Sequence, residues 1–525
     1  MTGRTTMKRT QKAAGMLLGI LATGICMTAA AEEGKISKST LLTGLVFQSV
    51  SDSAGLWSGA GAEKLEEDTG IRLEFYSNGG GNTQKLLQYL AAGTLPDIVG
   101  VEESQAVLLE NAGLLVNLDT CQDQLGSVFE NAVYSKALDY IREQLGGTDS
   151  GLYLLPVEVG QQAKEDYEWL PMAQWKPYVQ AGCPAVNTLE DFLDAAEQML
   201  RYKSSTPLGE TVYAFSLYSD QDDCIAKDAA NLSRMYGKVT GSICPVMELD
   251  VAAGELISVT DDDSFYKQAL HFYFQANQRG LLDPDSQNQT YETLKEKYAD
   301  GRVLFSKEQA LTEQFNQDAG ERGVPENAYT PLIAENMVIC KDADKPVGSS
   351  WYFGVSTTGS QTEDACRLLN WLYDSEKISW LYEHPEDLQP FQALGISRTE
   401  AGVLPEPVYC RELLPGEEDN PKGYEETMTV GEWLESRNMI LKENEAVNML
   451  PEVSSAMRSK CSRIGQVVRE MSWNMIYAQS EEQFQDLWKQ MQSRSQMLGI
   501  DIVSEYYQSI WKVALMREKT YGENK

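Results

Sequence analysis

The chain has 525 residues, 42% of them hydrophobic and 9% aromatic, which supports a large buried core and excludes wholesale disorder. Against 44 Lys and Arg stand 78 Asp and Glu, a net charge of −34. Phosphate backbones and anionic lipid reward clustered basic residues, so neither is an expected partner. The two histidines, His271 and His384, leave little for His-rich metal chemistry or a His-based triad.

Residues 1–31 carry no acid. Arg4, Lys8, Arg9 and Lys12 form a basic start, 16–22 is apolar, and Ala29-Ala30-Ala31 precede Glu32. This is the layout of a secretory signal peptide cut after Ala31. Without those four basic residues the remainder carries −38. A lipid-anchor signal wants a small residue before its cysteine. Ile25 precedes Cys26, so a lipid anchor there is disfavoured. Residues 41–47 read as a buried strand, 62–69 as the end of a helix stopped by Gly70, and 71–75 as a second strand. A loop at 78–82 leads into a helix at 83–92, ended by Gly93, and 96–101 is a third strand. Strands alternating with helices predict βαβ units and a mostly parallel sheet, whose ligands gather at the carboxyl ends of strands. An apolar run follows at 152–159. Residues 189–202 form an amphipathic helix with Thr188 as N-cap and Asp191 completing a capping box. A second helix spans 264–279 and ends at Gly280; 351–356 is a strand and 364–374 a helix. Residues 413–427 read as an exposed loop. Beyond about 427 the pattern is nearly all helical, with 481–498 closed by Gly499 and 503–516 after it.

Short motifs yield little chemistry. Gly79-Gly80-Gly81 lacks phosphate-loop spacing and reads as a βα turn. The stretch from Gly354 to Gly359 has one residue too many for a nucleophile elbow. Asp283-Pro284-Asp285 begins like a calcium loop but lacks its later Gly and Glu. Asp261-Asp262-Asp263 reads as a solvated loop that also caps the next helix. The eight cysteines after Cys26 contain no C-x-x-C pair, so no zinc cluster is expected; disulfides and buried thiols both remain open. The aromatics are more informative. Ten Trp and 25 Tyr outnumber 13 Phe, and their flat faces with polar edges suit sugar rings. Trp57, Trp351 and Tyr352, near predicted strand ends, are the candidates.

Residues 90–99, Leu-Ala-Ala-Gly-Thr-Leu-Pro-Asp-Ile-Val, resemble the ASGxLPDIV segment of bacterial extracellular solute-binding proteins. They follow Thr69-Gly70-Ile71-Arg72-Leu73-Glu74, similar to TGIKVE. In family order come 111–119 (similar to GLLxxLD), 149–156 (DGKxYxLP), 175–192 (DxxxKAGxPxPxTWEEF) and 278–285 (xEGLIDPD). Residues 482–507, with Phe484, Trp488, Gly499-Ile500 and Glu505-Tyr506-Tyr507, resemble the C-terminal segment of the sugar-binding branch of Gram-positive bacteria. Departures are the absent lipobox, Leu189 in place of the Trp of TWEEF, and Ala173-Gln174 in place of a basic-acidic pair.

The resemblance implies an α/β, two-lobed periplasmic-binding-protein-like fold of type II, with an interlobe ligand cleft and hinge crossings near 154–159 and 351–355. It places lobe 1 at 37–155 plus 356–430, and lobe 2 at 156–355 plus 431–525. The implied role is capture of an oligosaccharide or sugar derivative for an ABC-type importer, by a monomer partnered with permease subunits. No catalytic residue, metal or cofactor is expected. Site candidates are strand-end and crossing positions: Trp57, Asn78, Glu102, Glu158, Tyr218, Asp220, Trp351 and Tyr352. Aromatics would stack on rings; carboxylates and amides would bind hydroxyls. Two alternatives stand beside this: the same fold binding a peptide, polyamine or other cation, and a secreted glycoside hydrolase using two carboxylates.

Overall fold

In the computed structural model, the alternating residues at 71–77 pair with the apolar run before them. β1 (Thr40–Val46) and β3 (Ile71–Ser77) run parallel, and β2 (Gly55–Leu56) lies antiparallel on the outer side of β3. Ile71, Leu73 and Phe75 are buried while Arg72 and Tyr76 are exposed, the pattern of a strand with one wet face. β4 (Ile98–Glu102) pairs with the other side of β1 and is buried over all but its last residue, as a central strand should be. α1 (Ala60–Thr69) and α2 (Thr83–Ala92) supply the crossovers that parallel pairing requires. Gly70, left-handed at φ 70°, stops α1 as the sequence predicts. After β4 come α3 (Glu103–Asn111), α4 (Gly126–Phe129), α5 (Ser135–Leu145) and β5 (Leu155–Pro156).

The structure describes residues 39–46, 55–77, 83–146, 150–160, 171–222, 224–308, 311–324, 327–332, 337–349, 351–359, 361–374, 376–377, 380, 434–435, 438–451 and 453–522. The expected leader with Cys26, Asn78, the Gly79–Gly81 turn and the loop at 413–427 lie outside them. Among the described residues no helix is long and apolar enough to cross a membrane.

Past β5 the chain builds a second core. Its elements are β6 (Met172–Gln174), α6 (Trp175–Gln180), α7 (Leu189–Leu200), α8 (Lys227–Leu232), β7 (Lys238–Thr240), β8 (Met247–Asp250), β9 (Glu255–Ser258), α9 (Phe265–Gln278), α10 (Tyr291–Ala299), β10 (Phe305–Ser306), α11 (Glu313–Glu321), β11 (Tyr329–Pro331) and β12 (Ile339–Lys341). The strands form two small antiparallel sheets, ordered β10-β6-β11 and β7-β8-β9. α7 starts on the predicted capping box: Thr188 Oγ1 accepts from Asp191 N at 3.1 Å, and Asp191 accepts from Thr188 N at 2.9 Å. α9 starts differently from the expectation. The Asp261-Asp262-Asp263 run does not cap it. Glu248 of β8 accepts from Phe265 N at 2.8 Å and from Tyr266 N at 2.9 Å, and Ser264 is the N-cap. Asp262 instead takes Lys267 and the indole of Trp488.

The chain then returns. β13 (Trp351–Val355) inserts between β4 and β5, antiparallel to both. It enters the sheet from the edge at which β5 leaves, and so has to run the opposite way. β13, expected in the second lobe, is thus a strand of the first sheet. α12 (Thr362–Leu372) packs on this first core through Cys366, Leu369 and Leu372. β14 (Ile440–Lys442) pairs in parallel with β12, and α13 (Ser455–Ile476), α14 (Glu481–Leu498) and α15 (Ile500–Tyr521) finish the molecule.

The result is a mixed α/β protein with two main cores. Leu42, Phe75, Val101, Leu155, Phe353 and Leu369 belong to one; Leu193, Phe215, Tyr266, Val468, Trp488 and Trp511 belong to the other. The tail at 431–525 does not stay wholly with the second. Tyr521, at the end of α15, packs edge-on to Tyr140 of α5 at 5.3 Å and belongs to the first core, as does Met449.

Candidate functional site

Strand direction gives the first lobe's sheet a carboxyl edge, formed by the ends of β1, β3, β4 and β5 and by the start of β13. Two links to the second core leave from this edge: residues 157–160 after β5 and residues 344–349 before β13. They lie side by side. Ser349 N donates to Val157 O at 2.9 Å, and Gly160 N to Lys345 O at 2.9 Å. A third segment joins them from the end of β14 onward: Lys442, its last residue, pairs with Asp344, and Asn448 Nδ2 donates to Asp344 O at 3.0 Å. Sheet edge and crossings thus share one region.

Three predicted residues meet there. Glu102 ends β4, half-buried, in register with Trp351 at the start of β13. Glu102 occupies the N-cap position of α3, yet its side chain makes no capping hydrogen bond. Glu158 lies two residues past β5 in a left-handed conformation, φ 61°, unusual for a residue with a side chain. Its carboxylate pairs with Lys345 across the two crossings.

Two aromatic candidates, Trp57 and Tyr352, sit in a core. Trp57 is 7% exposed and Tyr352 2%, both within the first core. Neither offers an open ring face for stacking in this structure.

Tyr218 and Asp220 are in the second lobe. Asp220 is exposed and accepts from Tyr291 N, the first residue of α10, at 2.9 Å. Tyr218 is buried in a small cluster with Tyr298 and Tyr329. Its backbone N–H donates to Asp228 at 2.9 Å and its hydroxyl to Glu308 at 3.3 Å. Lys307 pairs with Asp228. Nearby, Asp222 accepts from Lys227 N at 2.8 Å and from the Trp473 indole at 2.7 Å. Burial pushes the Asp222 carboxyl up to about 6 against those hydrogen bonds. Sequence reasoning missed Asp222, Asp228, Lys307 and Glu308. They come from separate segments, and no local spacing marks the group.

A cavity of about 40 Å³ adjoins this group, lined by Phe215, Tyr273, Tyr298, Phe305 and Lys307 among others. That is room for about one water, not for a sugar ring. An open depression of about 480 Å³ lies among α7, α9 and α14, lined by Glu190, Lys267, His271, Glu481 and Phe484 among others. Among the described residues no three His, Cys, Asp or Glu side chains could hold a metal ion. Asp283 of the calcium-like run is fully buried and paired with Lys297 at 2.6 Å, so an ammonium already neutralises it. Ser356, in the loop from Gly354 to Gly359, shares a 2.8 Å hydrogen bond with Thr358, and its backbone N–H donates to Asp97 O at 2.9 Å. Asp97 precedes β4, so this loop packs at the amino edge of the sheet, away from the crossings.

No family model and no curated protein matches the sequence. Solved structures do match in fold. An HMO binding, ABC-transporter associated solute-binding protein from Bifidobacterium longum infantis aligns over 90% of this chain and 99% of its own, at 14% identity and TM-score 0.59. Alginate-binding protein AlgQ2, solved without calcium ion, aligns over 91% of this chain and 98% of its own, at 11% identity and TM-score 0.59. The S. pneumoniae ABC-transporter substrate-binding protein FusA, in complex with kestose, aligns over 92% of this chain and 100% of its own, at 14% identity and TM-score 0.56. The chain therefore has the two-lobed α/β fold of ABC-transporter solute-binding proteins.

Proposed function

We propose that the chain is an extracellular solute-binding protein that captures an oligosaccharide or sugar derivative between its lobes and delivers it to an ABC-type importer. The observation that carries this reading is the fold, shared over about nine-tenths of the chain with binding proteins whose names include HMO, alginate and kestose. The leader at 1–31 supports export, as a monomer working with permease subunits. The lobes are 39–156 with 351–374, and 171–341 with most of the chain after 434.

In this reading the ligand lies against the carboxyl edge of the first lobe. Glu102 and Glu158 accept from sugar hydroxyls, Trp351 supplies apolar contact, and the second lobe closes from the far side. Ligand favours the closed state because only there do both lobes touch it. The −38 charge of the exported part serves solubility rather than recognition.

A thermal-shift panel of glycans, peptides and polyamines tests this. One glycan should raise the melting temperature with dose, reaching about 2.7 kcal/mol of added stability at 100 times Kd. Trp351→Ala should weaken that glycan's binding at least about tenfold, about 1.4 kcal/mol, without changing the unliganded melting temperature by more than about 2 °C. A shift with peptides or polyamines alone would replace the sugar by those ligands. Release of product from the bound glycan would overturn the binding reading.

A further inference from the structure

The second core holds two thiols closer than unbonded sulfur atoms sit. Cys244, just ahead of β8, and Cys461, in the second turn of α13, are 217 residues apart and place their Sγ atoms 2.9 Å from each other. Both are buried, at 1% and 2% exposure. Unbonded carbon atoms keep about 3.5–4.0 Å, and sulfur is the larger atom. A disulfide bond is about 2.05 Å. The pair thus lies inside non-bonded contact and within about 1 Å of a bond. Independent contacts hold each partner. Met247 N donates to Cys244 O at 2.9 Å, fixing the turn into β8. Four residues beyond Cys461, α13 comes so close to the 224 segment that a methyl group on Gly465 would meet Cys224 Cβ at 2.4 Å. α13 thus has a close contact of its own with the 224 segment, separate from the two sulfurs.

We propose that Cys244 and Cys461 are joined by a disulfide in the mature protein. This rests on the export reading, since such bonds persist in oxidising compartments. Two S–H bonds break and one S–S bond forms. The two protons and two electrons pass to the disulfide of a thiol oxidant, which leaves as a dithiol. Both sulfurs are buried, so an oxidant reaches them only before the core closes. The bond therefore forms while the chain is still folding, and the finished core then shields it from reductants. It staples α13 to the β7-β8-β9 unit and closes a long loop, the case in which constraint on the unfolded chain is greatest.

The full chain secreted by a Gram-positive host, alkylated without reduction and digested, gives the test. The expected result is one peptide pair carrying Cys244 and Cys461, two hydrogens lighter than the free thiols. Reductant should lower the melting temperature on the order of 5 °C. Cys461→Ser should abolish that drop, and Cys340→Ser, a buried cysteine of β12, should retain it. Alkylation of both residues in the secreted protein, or Cys244 bonded to Cys224 or another partner, overturns the proposal. Retention inside the host would count against export instead. In that case refolding the purified chain in oxidised and reduced glutathione decides the pair alone: a Cys244–Cys461 bond sustains it, and two free thiols refute it.

Discussion

Glu443 follows β14 in the third crossing and is 4% exposed, with no hydrogen-bond partner at Oε1 among the described residues. Burial pushes its carboxyl up to about 7; Arg234 opposes the shift and Asp342 adds to it. Between about 4.5 and 7 the folded protein holds a proton that the unfolded chain has released, so stability falls as pH rises through that window and is level above it. The loss is about 3 kcal/mol at 1.36 kcal/mol per pH unit. Glu443→Gln should remove this decline, making the variant more stable than the native chain at pH 8 by about 1–3 kcal/mol, read by urea denaturation across pH. Equal pH profiles would show that water reaches the carboxylate. Asp222 is raised by the same cause but is satisfied at both oxygens, so its replacement would break two hydrogen bonds.

Gly348 shows how tightly the crossings are packed. Its φ is 89°, and a methyl group there would lie 2.4 Å from Val157 O in the neighbouring crossing. Gly348→Ala should cost about 2–4 kcal/mol, from left-handed strain plus displacement of backbone. Gly280 has φ 70° with nothing within 4 Å, so Gly280→Ala should cost only about 1–2 kcal/mol. Urea midpoints with unchanged slopes would separate the two; equal costs would mean the crossings part easily. Gly280 was legible in the sequence as a helix stop, and so were the Thr188 capping box and the left-handed Gly70 and Gly499. These signals are local: a cap is written within four residues of the turn it ends. Glu248 under α9, and the entry of β13 into the first sheet, depend on segments tens to hundreds of residues apart, and no local spacing encodes them. The candidate edge was legible only as a rule about strand ends. That rule singled out Glu102, Trp351 and Glu158, which are near one another along the backbone pairing; it carries no information on the burial of Trp57 and Tyr352, which depends on what covers them.

At the scale of the molecule, α15 is rooted in both cores. Its first turns bury Ile500, Val503 and Tyr507 in the second core, and the Trp511 indole donates to Gly254 O at 3.0 Å. Its last turn reaches the first: Arg517 donates to Met449 O at 3.1 Å and to the Tyr140 hydroxyl at 3.3 Å, Lys136 donates to Gly522 O at 3.2 Å, and Tyr521 bonds Glu143. A helix of 22 residues is a rod of about 33 Å. If either core melts, this rod loses half its bed, and the three crossings lose one wall. The two cores should therefore share a single calorimetric event, with van't Hoff and calorimetric enthalpies in agreement. A chain ended at residue 514 should split that event in two, and two separate heat-absorption peaks in the intact protein would show that the rod does not couple them. Under the solute-binding reading proposed above, the two halves have to move relative to each other when a ligand arrives. A helix with an anchor in each core would keep either half from unravelling alone during that motion.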